Sequence, residues 1–237
     1  MKKSSLFFAM IIFPVLSYSQ FSAGFTAGYN VSKTNVELRD LSTFKIKPGY
    51  GFNAGMFLEY RFNQAAGLLS GLSVTQKGFS HHLDIKQSPE TDSTVVMTNK
   101  LTYLELPVYL KLNTFIKETE FFFAIGPYVS YGLQGKIVTE TSGRDVTIQT
   151  DEVSWNKNNE GIKSEMVRLY GYSGIKRWDY GIASLIGFRH DNLLFSVSYK
   201  YGLKNIMWEY YADEKISNSA ISFAIGYYLS GGKKPSK

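Results

Sequence analysis

The stretch TYLELPVYLKL, residues 102–112, decides the fold. Thr102, Leu104, Leu106, Val108, Leu110 and Leu112 fall on one side of a period-two alternation; Tyr103, Glu105, Pro107, Tyr109 and Lys111 fall on the other. A repeat of two belongs to a β-strand, whose successive side chains point to opposite faces. One face is dry and the other carries charge. The dry face needs either the core of a soluble sandwich or lipid, and the rest of the chain has to choose between them.

The same alternation recurs seven more times. SAGFTAGYNVS sets Phe25, Tyr29 and Val31 against Gly24, Thr26, Gly28 and Asn30. Residues 48–60 set Phe52, Met56 and Leu58 against Asn53, Gly55, Phe57 and Glu59. GLLSGLSVTQKGF carries Leu68, Leu72 and Val74 on its apolar side. EFFFAIGPYVSYGLQG, WDYGIASLIGFRH, LLFSVSYKYGL and NSAISFAIGYYL complete the set. Each reaches the roughly 9–11 residues of a tilted membrane strand.

Connection lengths alternate as well. Residues 33–47, 81–99, 139–176 and 205–216 are long, whereas 61–66, 114–119 and 189–192 are short. Tight turns at one end and long loops at the other are the rhythm of an outer-membrane barrel. The predicted fold is therefore all-β, an eight-stranded antiparallel up-and-down transmembrane barrel whose even strand number puts both termini on the periplasmic side. Residues 139–176 alternate weakly and offer a ten-strand alternative. Asp151, Glu152 and Glu165 favour a hairpin above the membrane instead.

The ends and the composition agree. Lys2 and Lys3 precede an apolar run, Leu6–Leu16, with Ser17 and Ser19 placed for signal peptidase. Residues 1–19 read as a signal peptide, 20–229 as the barrel domain and 230–237 as a polar tail. Removing the signal lowers the formal charge from +6 to +4, which gives no argument for nucleic acid. There is no cysteine, so no disulfide and no lipidated N-terminus. The 17 Tyr, 17 Phe and 21 Gly fit a barrel with aromatic girdles and a narrow, small-residue lumen. Tyr29, Tyr60, Phe121, Trp178, Tyr180, Tyr201 and Tyr227 are the expected girdle.

If the dry faces meet lipid, the charges on the other face point inward. Glu59, Lys77, Glu105, Lys111 and Lys200 are the candidate lumen ionic cluster. Unpaired, they would be costly. Pro107 has no N–H for a ladder, so a bulge or local break is expected there. No phosphate loop, metal-ligand spacing or nucleophile elbow is present, and no cofactor is expected. His81 and His82 occupy adjacent positions on opposite faces, poor for chelation, and His190 reads as turn chemistry.

Together, the signal ending SYSQ, the first strand GFTAGYN, the pair YLELPVYLKL and FFFAIGPYVSYGL, and the closing ISFAIGYYL resemble the PorT-like outer-membrane β-barrel proteins of Bacteroidetes. The resemblance spans nearly the whole mature chain. It implies an outer-membrane barrel inserted by the barrel-assembly machinery, in a family named for a protein associated with secretion across the outer membrane. The polar SGGKKPSK after Leu229 departs from the usual aromatic barrel ending.

The expected function is non-enzymatic: a barrel in outer-membrane lipid that presents loops for binding or supports an envelope or secretion assembly, with loop 139–176 and its Trp155 as the surface for an envelope partner. A small-solute channel lined by Glu105 and Lys111 is the alternative. A lipid-modifying enzyme using Ser80 and His81 is a distant third.

Overall fold

The computed structural model describes residues 20–37, 45–85, 93–142, 146–155, 174–206 and 215–229. The expected signal and polar tail lie outside them. Among the described residues nine strands are formed: β1 Phe21–Glu37, β2 Lys45–Arg61, β3 Ala66–Ile85, β4 Ser93–Ile116, β5 Thr119–Ser142, β6 Val146–Glu152, β7 Trp178–His190, β8 Leu193–Gly202 and β9 Lys215–Tyr228. Pairing runs β4-β3-β2-β1-β9-β8-β7-β5, and β4 also pairs with β5. That contact closes a ring of eight antiparallel strands, with the first and last strands joined from Gly24↔Tyr228 to Glu37↔Lys215. Closure removes the edges that an open sheet would expose.

The ninth strand stands outside the ring. β5 pairs with β7 through residues 119–131, and its distal part, 136–142, pairs with β6 instead. β6 therefore forms a hairpin on the projecting end of β5, and Asp151 and Glu152 lie in that hairpin.

Alternation sets the two faces. Leu106, Val108, Leu110 and Leu112 are exposed, whereas Tyr103, Glu105, Tyr109 and Lys111 are buried. The same holds on β8, where buried and exposed residues alternate without a break. A wall of exposed Phe, Leu, Ile and Tyr around a polar interior is the reverse of a soluble barrel and matches one surrounded by lipid. Aromatic pairs mark both rims: Phe21–Tyr60, Phe121–Phe188 and Phe188–Phe195 at the end bearing the termini, Tyr29–Tyr50 and Tyr131–Trp178 at the end bearing the long connections.

The terminal end is closed by tight turns. The Asn63 side chain accepts hydrogen bonds from the amides of Ala65 and Ala66, both at 2.8 Å. Lys117 (φ 55°) and Asp191 (φ 52°) open two-residue turns in the left-handed region, which matches the twist of the flanking strands. At the loop end the strands run further than the alternation predicts. β4 and β5 have 24 residues each, about twice what a bilayer requires. Backbone pairing carries β3–β6 past the point where the apolar pattern stops.

Two irregularities re-aim side chains. At Pro107 the predicted break is found without a register shift, since Ser70↔Val108 and Ser73↔Glu105 lie on one register. The Ser70 hydroxyl donates to the Pro107 carbonyl at 2.8 Å. The bulges lie elsewhere. Thr102 pairs with Gln134 and Tyr103 with Gly132, so Leu133 is the extra residue of β5. Beyond it the inward face changes from Ser130 and Gly132 to Gly135, Ile137 and Thr139. A second shift lies in β2 between Pro48 and Asn53. There the Asn30 side chain of β1 reaches past β2 and donates to the carbonyls of Phe52 (3.0 Å) and Gln76 (3.1 Å). The Ser32 hydroxyl donates to Gly78 O (2.8 Å) and accepts from Gly78 N (2.7 Å). These side chains pass over Gly51 and Gly49, their partners on β2. A Cβ at either glycine would strike the β3 backbone.

Candidate functional site

The lumen gathers the buried charges into two groups. Nearer the termini, Lys111 of β4 lies 2.8 Å from Glu59 of β2 and 2.7 Å from Glu120 of β5. Arg61 pairs with the same two carboxylates. The Tyr228 hydroxyl donates to Glu59 at 2.7 Å, and the Arg189 guanidinium lies 3.9 Å from the centre of the Tyr228 ring. Glu59 and Glu120 are each shared between Lys111 and Arg61, and the buried Arg189, opposite Glu120, adds a third cation. Sharing offsets the desolvation that makes isolated buried pairs expensive.

The second group sits toward the loop end. Glu105 of β4 pairs with Lys200 of β8, and with Lys77 of β3 at 3.1 Å. Lys77 also lies 3.5 Å from Asp179 of β7, which accepts from Asn218 at 3.2 Å. The Ser130 hydroxyl donates to Glu105 at 3.1 Å. Lys77 further packs against the rings of Tyr128 (4.8 Å) and Tyr103 (5.2 Å), a favourable cation–π placement out of water. In this group two acids balance two bases.

Apolar layers alternate with these charges. Phe57, Leu69, Tyr109, Phe122 and Leu194 fill the space between the two groups. A cavity of about 110 Å³ remains there, bordered by Asn53, Glu105, Ser198, Lys200 and Ser222. Its polar lining suits ordered water. Above the loop-side charges, Phe79, Leu101, Tyr103 and Ile137 of the wall meet Val153, Ile175 and Ile206 from the connections, with Trp155 against them. Backbone bonds fix this cap: Val153 N to Gly135 O (3.0 Å), Ile175 N to Ser154 O (3.0 Å) and Lys176 N to Ile206 O (2.6 Å). Arg177 lies 5.4 Å from the Trp155 ring centre and 5.7 Å from that of Tyr131.

Of the five residues chosen from the sequence, Glu59 and Lys111 belong to the first group and Lys77, Glu105 and Lys200 to the second. The single cluster expected is thus two. Arg61, Glu120, Asp179 and Arg189 are the charged members that sequence reasoning missed. Arg61 and Arg189 fall in the expected turns 61–66 and 189–192, but β2 extends to include Arg61 and β7 to include Arg189. Glu120 and Asp179 each lie one residue from a strand start, inside segments whose alternation is recognised but whose inward charges are not singled out. Inward parity would have found them. Trp155 was expected on an exposed loop, yet it packs at the mouth because Gly132 leaves room for its ring. The side chains of His81 and His82 lie outside the described residues. The Ser80 hydroxyl shares a hydrogen bond with that of Thr98 at 3.0 Å.

Comparison with solved structures returns other barrels. Ail, the attachment invasion locus protein of Yersinia pestis, crystallised with the heparin analogue sucrose octasulfate, is 14% identical over 89% of this chain and 99% of its own, with a TM-score of 0.39. Neisserial surface protein A is 11% identical over 86% and 96%, at 0.36. The outer membrane protease OmpT from Escherichia coli is 9% identical over 88% and 96%, at 0.25. No curated protein matches the sequence. Residues 13–207 match the outer membrane protein beta-barrel domain family. With its ring of eight strands, apolar outer wall and charged lumen, the chain belongs to that family of outer-membrane β-barrels.

Proposed function

We propose that the protein is a non-enzymatic outer-membrane scaffold that presents its loop end to the cell exterior for an envelope partner. In this reading residues 1–19 direct export, the barrel-assembly machinery inserts the barrel, and both termini face the periplasm. The PorT-like resemblance of the sequence fits an envelope or secretion assembly. The observation that carries the reading is the closed lumen: two ion-paired layers, an apolar layer between them and an apolar cap. A rigid plugged barrel has its surface left for function, and loops on rigid scaffolds are where binding concentrates. The β5–β6 hairpin projects with Val146 and Ile148 exposed. The channel alternative needs both ionic layers and the cap to separate.

Two experiments test this. Purified protein in planar bilayers is expected to be silent; stable open channels altered by Glu105→Ala would overturn the plugged reading. In cells, Val146→Asp with Ile148→Asp is expected to leave insertion intact and to abolish co-purification of a partner captured with the wild type. An unchanged set of co-purifying envelope proteins would remove the hairpin from the function.

A further inference from the structure

We propose that a belt of lysines at the loop end binds the phosphate groups of the outer-leaflet lipid; the leaflet assignment rests on the orientation proposed above. Each lysine lies just beyond a rim aromatic on its own strand or connection: Lys33 follows Tyr29 on β1, Lys47 precedes Tyr50 on β2, Lys136 follows Tyr131 on β5 and Lys204 follows Tyr201 after β8. At about 3.3 Å per residue this is roughly 10–15 Å of chain past the aromatic girdle, the depth of lipid headgroups. Lys100 joins them on β4, directly opposite Lys136.

That pairing is the observation that points to a ligand. Like charges directly opposite on one face of a sheet repel. Lys100 and Lys136 are both exposed and share the outward face, and the neighbour of Lys100 on its other side is Gly78. The acid at this level is Glu152, opposite Lys136 on β6; Glu140 lies further out on β5. Lys47 faces Ser80 across the ladder, and Lys204 lies 5.4 Å from the Tyr180 ring centre. Lys33, Lys47, Lys100, Lys136 and Lys204 thus form the belt, and Glu152 is the acid directly across the ladder from one of them. The opposite rim is mixed, with Lys117 beside Glu118 and Asp191 in the turns. A one-sided cationic ring at headgroup depth is complementary to a leaflet of phosphorylated lipid and places no charge in the hydrocarbon.

The test uses the full chain reconstituted in phosphatidylcholine vesicles with and without bisphosphorylated lipid A, and follows unfolding by heat-modifiable gel migration. Lipid A is expected to raise the unfolding midpoint, because a ligand of the folded state stabilises it. The rise is expected to shrink by more than half when lipid A is dephosphorylated, when salt reaches about 0.5 M, and in a Lys47→Gln, Lys100→Gln, Lys136→Gln variant. A rise that survives phosphate removal or the triple substitution overturns the proposal. So does a wild type that ignores lipid A but is stabilised by a soluble sulfated polysaccharide, which would assign the belt to an external polyanion. The wild-type salt and dephosphorylation arms stand even if the variant fails to fold. Cysteine labelling of the β5–β6 hairpin in intact cells reads orientation separately, so failure of that reading is distinguishable from failure of lipid A binding.

Discussion

Glu105 on β4 and Lys200 on β8 join their charged groups across the lumen, with Lys77 of β3 on the same carboxylate. One acid thus ties three walls of the barrel together. Glu105→Ala leaves two buried ammonium groups with only Asp179 between them, and is expected to cost about 3–5 kcal/mol. Replacing Glu105 and Lys200 together by Met leaves the Lys77–Asp179 pair and is expected to cost markedly less. Denaturant unfolding in liposomes compares the two. A single-variant loss below about 1 kcal/mol would mean that water screens the site.

The stitch from β1 to β3 gives a second prediction. Asn30→Ala removes the donor to the Phe52 and Gln76 carbonyls at the β2 bulge and is expected to cost about 1–3 kcal/mol. Gly51→Val, which places a side chain against Gln76 O and in the path of Asn30, is expected to be at least as damaging. Equal stability of the wild type and both variants would show that the carbonyls are served by solvent.

The seat of Trp155 on Gly132 is open to spectroscopy. Gly132→Ala drives a methyl group into the indole ring and is expected to shift that tryptophan toward solvent, seen as red-shifted emission in a background with Trp178 and Trp208 replaced by Phe. The expected stability loss is about 1–3 kcal/mol, with barrel migration on gels unchanged. An unshifted spectrum would place Trp155 away from Gly132.

The outer wall makes a prediction about lipid. Ile225, 57% exposed and between the two aromatic rims on β9, faces the bilayer in this fold. Ile225→Arg is expected to cost about 2–4 kcal/mol in liposomes. A neutral effect would be incompatible with a hydrocarbon-facing side chain.

Lys117 sits at a φ of 55° with no turn-specific side chain. The left-handed penalty of about 1–2 kcal/mol exceeds the entropy cost of glycine, about 0.5–1 kcal/mol. Lys117→Gly is therefore expected to stabilise the barrel by about 0.5–1 kcal/mol, measured by the same unfolding assay.

Most of the wall was legible in the sequence because side-chain direction along a strand is fixed by local geometry. TYLELPVYLKL announces which of its residues face lipid and which face the lumen, whatever its neighbours are. The short turns are legible as 114–119 and 189–192, and strand pairing narrows them to 117–118 and 191–192. The strand extensions beyond the membrane were not legible, since β3–β6 continue by backbone pairing after the apolar signal has ended.

The sequence by itself therefore determined eight alternating strands, their two faces and the inward direction of Glu59, Lys77, Glu105, Lys111 and Lys200. Only the tertiary structure decided which charges meet. Glu105 and Lys200 are 95 residues apart, and their encounter depends on barrel closure and on the stagger between strands. Tertiary structure also decided the cap, because one extra residue at Leu133 reverses the facing of β5 and turns Ile137 inward beneath Val153 and Ile175. A period-two pattern specifies direction at each position, but a bulge changes the phase and only the pairing register reveals it.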